Sequence, residues 1–138
     1  MIKKIAGLFL LAVTFWGCGK ESEMIPNVPV QYTVTVQEFN IKKDKNSGVL
    51  LVKNHGVKGL MIVAVVGGYR AFDRASSVNP QNGGCAVVPD STGITATDPC
   101  TGAKFLLLDG TPQKAPAVRN LKSYSTSLRG GQTINVSN

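Results

Sequence analysis

Apolar and polar positions along this chain alternate or gather in short runs, and turn residues separate the runs. Val30 to Val36 alternates apolar residues with Thr and Gln, the period of two that marks a half-buried strand. Glu38 to Ser47 is charged and reads as a loop. Val49 to Lys53 is a second strand, turned by Asn54-His55-Gly56. Leu60 to Val66 is apolar without a break, the pattern of a strand buried on both faces. Gly67-Gly68 reads as a two-residue hairpin turn, where positive φ is cheap for glycine. Tyr69 to Asp73 returns as its partner. Ser76 to Gly84 is a loop rich in Asn, Pro and Gly. Ala86 to Val88 and Ile94 to Thr97 flank the turn at Pro89 to Gly93. Lys104 to Leu108 is a strand closed by Asp109-Gly110, and Ala115-Pro116-Ala117 is a proline loop. Leu121 to Ser127 and Gln132 to Val136 form a last hairpin around Gly130-Gly131. No stretch carries a helical period. About nine short strands at this spacing predict an all-β antiparallel sandwich.

The first residues have a different character. Met1-Ile2-Lys3-Lys4 is basic, and Ile5 to Trp16 is apolar except for Gly7 and Thr14. That run falls short of the roughly 20 residues a spanning helix needs, so it reads as the apolar region of a signal peptide. Gly17-Cys18 follows at once. A cysteine after a small residue at this place resembles a bacterial lipobox, which implies lipidation of Cys18 and removal of residues 1–17. The alternative is an ordinary secretory signal that leaves an unpaired thiol. Residues 18–28 are polar, contain Pro26, and read as a tether. Residues 29–138 form the domain. Lys20-Glu21-Ser22-Glu23 is similar to the short charged signals that send some lipoproteins to the outer surface. The expected location is therefore the outer membrane, with a lipid anchor whose several acyl chains hold firmly.

Charge excludes one class of partner. The chain of 138 residues carries 15 Lys and Arg against 8 Asp and Glu. Residues 1–17 hold two of the lysines and no acidic residue, so the remaining 121 residues have a net charge of +5. The basic residues are scattered, without the clustered cations and aromatics of a nucleic-acid surface. Only Lys42-Lys43-Asp44-Lys45 is dense; it reads as a solvated loop, with contact to anionic headgroups as the alternative. Enzyme signatures are absent as well. No Gly-x-Ser-x-Gly elbow surrounds Ser76 or Ser77, and no Gly-x-x-x-x-Gly-Lys loop exists.

The informative stretch is Tyr69 to Tyr124. It contains Ala75-Ser76-Ser77-Val78-Asn79-Pro80, then Cys85, then Asp98-Pro99-Cys100-Thr101-Gly102-Ala103-Lys104-Phe105, Asp109-Gly110-Thr111-Pro112 and Ala115-Pro116-Ala117. This order resembles a Rieske iron–sulfur domain, in which two loops each give one Cys and one His to a [2Fe–2S] cluster while two further cysteines join the loops. The resemblance puts Cys85 and Cys100 on the disulfide positions. It puts Ser76, Val78, Asp98 and Thr101 on the four ligand positions. None of these is a thiol or an imidazole.

A count reaches the same result without an alignment. A Rieske centre takes two thiolates and two imidazoles, and the chain has one histidine, His55. Beyond Cys18 only two cysteines remain, too few for an all-thiolate cluster or a four-ligand zinc site. No cofactor and no metal are expected. His55 reads as a solvated turn residue. The Cys85–Cys100 bridge would close a loop worth about 3 kcal/mol in the chain-entropy model, helped by packing of Val78, Pro99 and Phe105. A redox-active pair is the alternative, though nothing nearby in sequence suggests a lowered thiol pKa. The expected fold is a Rieske-like antiparallel β-sandwich with a two-loop cap tied by a disulfide. The expected role is non-enzymatic: an envelope binding or structural module, anchored in the membrane, with an unknown envelope protein as partner. Electron transfer through a Rieske-type centre is the alternative. In the family the loop tip faces the redox partner, so Val78, Asn79, Pro80, Gln81, Lys104 and Pro116 are the candidate contact surface.

Overall fold

The computed structural model describes residues 25–80 and 84–138. The expected leader, Cys18, most of the expected tether and Gln81 lie outside the described residues. Among the described residues, ten strands form two antiparallel sheets. The larger is ordered β1 (Gln31–Thr35), β10 (Thr133–Ser137), β9 (Ser123–Arg129), β4 (Gly68–Asp73), β3 (Leu60–Val65), β2 (Val49–Val52). The smaller is ordered β5 (Val88–Pro89), β6 (Thr95–Thr97), β7 (Lys104–Leu106), β8 (Pro112–Lys114).

The wall formed by β2, β3 and β4 separates two cores. Leu50, Val52, Leu60, Ile62 and Ala71 point to one side, against Val34, Phe39, Tyr124, Ile134 and Val136. Val49, Met61, Val63 and Phe72 point to the other, against Ala96 and Phe105 of the smaller sheet and the flanking Val87, Ala103 and Leu107. Side chains of a strand alternate between faces, so a strand with a core on each side must be apolar throughout. That is the physical reason for the unbroken run at Leu60. The register pairs Ile62 with Ala71 and Met61 with Phe72.

Several expectations need correction. The stretch read as a charged loop is a helix, α1 (Val36–Lys42), continued by a 3₁₀ turn over Lys43–Asn46. Thr35 caps it by accepting from the Glu38 amide at 3.1 Å. Thr35-x-x-Glu38 has the spacing of a capping box, and Val34 and Phe39 sit at the positions of a hydrophobic staple. Glu38 and Lys42 form an ion pair one turn apart. Phe39 is fully buried and meets the Tyr69 ring edge-on at 5.1 Å. Phe39, with the half-buried Val36, thus anchors the helix on the first core. Strand β8 was not expected; it pairs with β7 through a bulge. The hairpin loop after β3 is Val66-Gly67, one residue earlier than expected, because Val65 pairs with Gly68.

Candidate functional site

The two expected cap loops lie side by side. The first leaves β4 at Asp73 and runs past Ser76, Val78 and Asn79; Ala75 bridges to Ala86 on its return. The second connects β6 to β7 through Asp98 to Ala103. A disulfide joins Cys85 to Cys100 across them, with Cα atoms 6.0 Å apart. Between the loops is a cleft of about 210 Å³ lined by Val78, Asn79, Gly84, Cys85, Asp98, Cys100 and Thr101.

Ser76, Asp98 and Thr101 each accept a hydrogen bond from a nearby backbone amide. The Ser76 hydroxyl is buried and accepts from the Val78 amide at 3.2 Å. Asp98 is buried too, and one of its carboxylate oxygens accepts from the Cys100 amide at 2.8 Å. Its own amide donates to the Ala103 carbonyl at 2.8 Å, and Gly102 donates back to the Asp98 carbonyl at 2.8 Å. These bonds close the second loop into a tight turn, with Gly102 at φ +77°. Thr101 accepts from the Ala103 amide at 3.3 Å. Ser77 ties the first loop to the proline loop by donating to the Arg119 carbonyl at 2.8 Å.

Three of the four aligned ligand positions, Val78, Asp98 and Thr101, line the cleft, and Ser76 is buried behind it. Of the candidate surface residues, Val78 and Asn79 line the cleft. Pro116 is exposed on the proline loop and follows a cis peptide bond. Lys104 is turned elsewhere. Its ammonium donates to Asp90 at 2.9 Å and to Thr97 at 2.8 Å. Burial alone would push the Asp90 carboxyl up; bonds from Thr95, Thr97 and Lys104 outweigh it and hold that carboxyl below the ordinary range. Of the residues expected to pack the loops, Phe105 is fully buried and Val78 leans on the second core, but Pro99 is exposed.

The residues present do not fit a Rieske cluster. Such a centre takes two thiolates and two imidazoles. Here the aligned side chains are two hydroxyls, an isopropyl group and a carboxylate, and both nearby sulfurs are bonded to each other. His55, the single histidine of the chain, belongs to the β2–β3 connection. Its ring is half-buried, 5.0 Å edge-on from Tyr32, with Nδ1 3.1 Å from the Lys53 carbonyl. It is a packed turn residue rather than a solvated one.

A buried carboxylate that sequence reasoning missed fixes the root of the first loop. Asp73 is fully buried at the end of β4. One of its oxygens accepts from the Lys58 amide at 3.0 Å and the Ala75 amide at 2.8 Å. The other accepts from the Val57 amide at 2.6 Å and the Tyr124 hydroxyl at 2.7 Å. Burial, then the bond to this carboxylate and its charge, push the Tyr124 phenol far above its ordinary value. Gly56, at φ +64°, lets the β2–β3 connection close over the group, since a Cβ there would collide with Asp73. No local pattern announces Asp73. Three of its four donors lie 15, 16 and 51 residues away in sequence.

No family model matches this chain, and no curated protein does. Solved structures do match in fold. The plasma membrane Rieske protein PetC3 from Synechocystis PCC 6803 superposes with a TM-score of 0.57 at 24% identity, covering 81% of this chain and 99% of that one. The ferredoxin of carbazole 1,9a-dioxygenase from Nocardioides aromaticivorans IC177 gives a TM-score of 0.50 at 17% identity, covering 80% and 97%. The chain has the Rieske fold, and its two-loop cap carries the disulfide pair.

Proposed function

We propose that this Rieske-fold chain is an exported protein, anchored in the outer membrane through a lipid on Cys18, that has lost the cluster and works as a binding or structural module of the cell envelope. One observation supports the loss above all others. The cleft where the fold would hold a cluster presents Val78, Asp98 and Thr101, and its two sulfurs are joined to each other. Restoring a ligand set would take substitution at all four aligned positions, two to cysteine and two to histidine. No described helix is long and apolar enough to cross a membrane.

The role is non-enzymatic in this reading. The contact surface in this reading is formed by Asn79 and Thr101, exposed side chains lining the cleft, and by the exposed Pro116 on the neighbouring loop. Gln81 belongs to the same tip by sequence. Lys104 drops out, because its charge is committed to Asp90. The partner is an envelope protein.

Iron content decides between this reading and electron transfer through a Rieske-type centre. Protein purified without air from its native host should be colourless, with no iron and no visible absorption. Two iron atoms per chain with a Rieske-type electron paramagnetic resonance signal would establish the rival. For the tip, Asn79→Glu and Thr101→Glu change exposed side chains and leave the cores intact. Together they should abolish co-purification of a partner crosslinked in intact cells; unchanged co-purification moves the contact elsewhere.

A further inference from the structure

We propose that the Cys85–Cys100 disulfide is a thiol–disulfide exchange site for low-molecular-weight thiols, with Asp98 as its proton-transfer group. The inference holds apart from the reading above, since it concerns only the disulfide and its neighbours.

Three observations meet in the cleft. The two residues differ in exposure: Cys100 is exposed, whereas Cys85 is half-buried. An incoming thiol therefore reaches Cys100 and displaces Cys85. A buried carboxylate stands beside both. Asp98 is 1% exposed, and its carboxylate oxygen and the two sulfurs all lie within 4.8 Å of one another. One oxygen is bound by the Cys100 amide. The other accepts no further hydrogen bond among the described residues, so its lone pairs are open to a thiol proton. Finally, the cleft of about 210 Å³ opens onto this group. A structural disulfide needs none of this: apolar packing around it would serve better than a carboxylate, whose burial is costly without full pairing.

The chemistry balances in two steps. As the neutral thiol RSH attacks the Cys100 sulfur, Asp98 takes its proton. The sulfur–sulfur bond breaks with its electron pair on Cys85, and Asp98 returns the proton there. This leaves a Cys100–S–S–R mixed disulfide and a Cys85 thiol. A second RSH attacks the R sulfur and releases Cys100 as a thiol. In sum, two RSH reduce the protein disulfide to two thiols and become RSSR. Thiolates are the ordinary nucleophiles in such exchange, but the Asp98 carboxylate repels an anion. The site therefore favours a neutral or cationic thiol that hands its proton to the carboxylate.

The test uses the folded, oxidised protein with cysteamine and 3-mercaptopropionate as probe thiols of opposite charge. Cysteamine should react faster, and mass spectrometry after acid quench should find the adduct on Cys100. Asp98→Asn keeps the side-chain oxygen that binds the Cys100 amide but cannot take a proton. It should slow reduction on the order of 100-fold, the low end for a positioned proton-transfer group, and erase the preference for cysteamine. Its unfolding midpoint verifies that the fold is intact, and Asp98→Glu, which restores a carboxylate, should recover part of the rate. Three results would overturn the proposal: an Asp98→Asn rate within about threefold of the parent, which is too small an effect for such a group; an adduct on Cys85; or reduction that proceeds only at the rate of global unfolding.

Discussion

Replacing Asp73 with Asn tests whether one carboxylate holds the root of the first loop. The substitution keeps size and shape and removes one acceptor and the charge. In the native site each oxygen takes two donors: Lys58 and Ala75 amides on one, the Val57 amide and Tyr124 hydroxyl on the other. An Asn amide nitrogen placed toward Lys58 and Ala75 would face two amide hydrogens. Placed on the other side it faces the Val57 amide, while the Tyr124 hydroxyl rotates to accept from it. The second arrangement is the better one, and it strands a single buried N–H. A stranded buried donor costs about 1–3 kcal/mol, and each bond that loses its charged acceptor weakens further. The expected loss is about 3 kcal/mol, a large part of the roughly 5–15 kcal/mol that keeps a domain folded. Tyr124→Phe removes only the hydroxyl bond and should cost about 1.5–3 kcal/mol. Urea titration of the oxidised protein by circular dichroism gives both values. Amide exchange supplies the local check: Val57, Lys58 and Ala75 should lose protection in Asp73→Asn, with β10 unaffected. A stability change under about 0.5 kcal/mol, the range of an ordinary surface substitution, would refute the assignment.

Other outcomes follow from the same contacts. Tyr124 has its phenol raised by burial and by Asp73, so its contribution is complete below the ordinary tyrosine value of about 10 and is lost as pH climbs above it. The alkaline limb of a stability–pH curve should be steep in the parent and flatter in Tyr124→Phe. Asp90 has the opposite sign: its carboxyl is held low by Thr95, Thr97 and Lys104 against burial, so its contribution is present above about pH 3.9 and fades as pH falls further. Asp90→Asn should flatten the acid limb below pH 4. Phe39→Ala should destabilise by about 3–5 kcal/mol, and Thr35→Ala by about 1 kcal/mol. Denaturation midpoints check the pair, and equal effects would mean that the cap, not the buried ring, anchors α1.

Much of the sheet was legible because strand pattern is a local property. The two-sided burial of Leu60 to Val63 could be read from the unbroken apolar run, but Ala64 and Val66, read as part of the same buried strand, are exposed at the hairpin end. Helix α1 was also written in the chain, in Thr35-x-x-Glu38 with Val34 and Phe39. The surrounding charges hid it, because a helix that buries one ring leaves no apolar stripe. The disulfide pairing came from the resemblance, not from spacing.

By itself the sequence determined what a cluster would lack. One histidine and two domain cysteines are a matter of stoichiometry, and no folding changes a count. Only the tertiary structure decided which groups face one another. It brought Asp73 to two amides of the β2–β3 connection and the Tyr124 phenol of β9, took Lys104 away from the loop tip to Asp90, and set the buried Asp98 carboxylate beside two sulfurs. Those pairings depend on where separate loops close in space. Burial changes the free energy of a charge far more than that of an apolar group, so it is the polar residues whose roles wait on the fold.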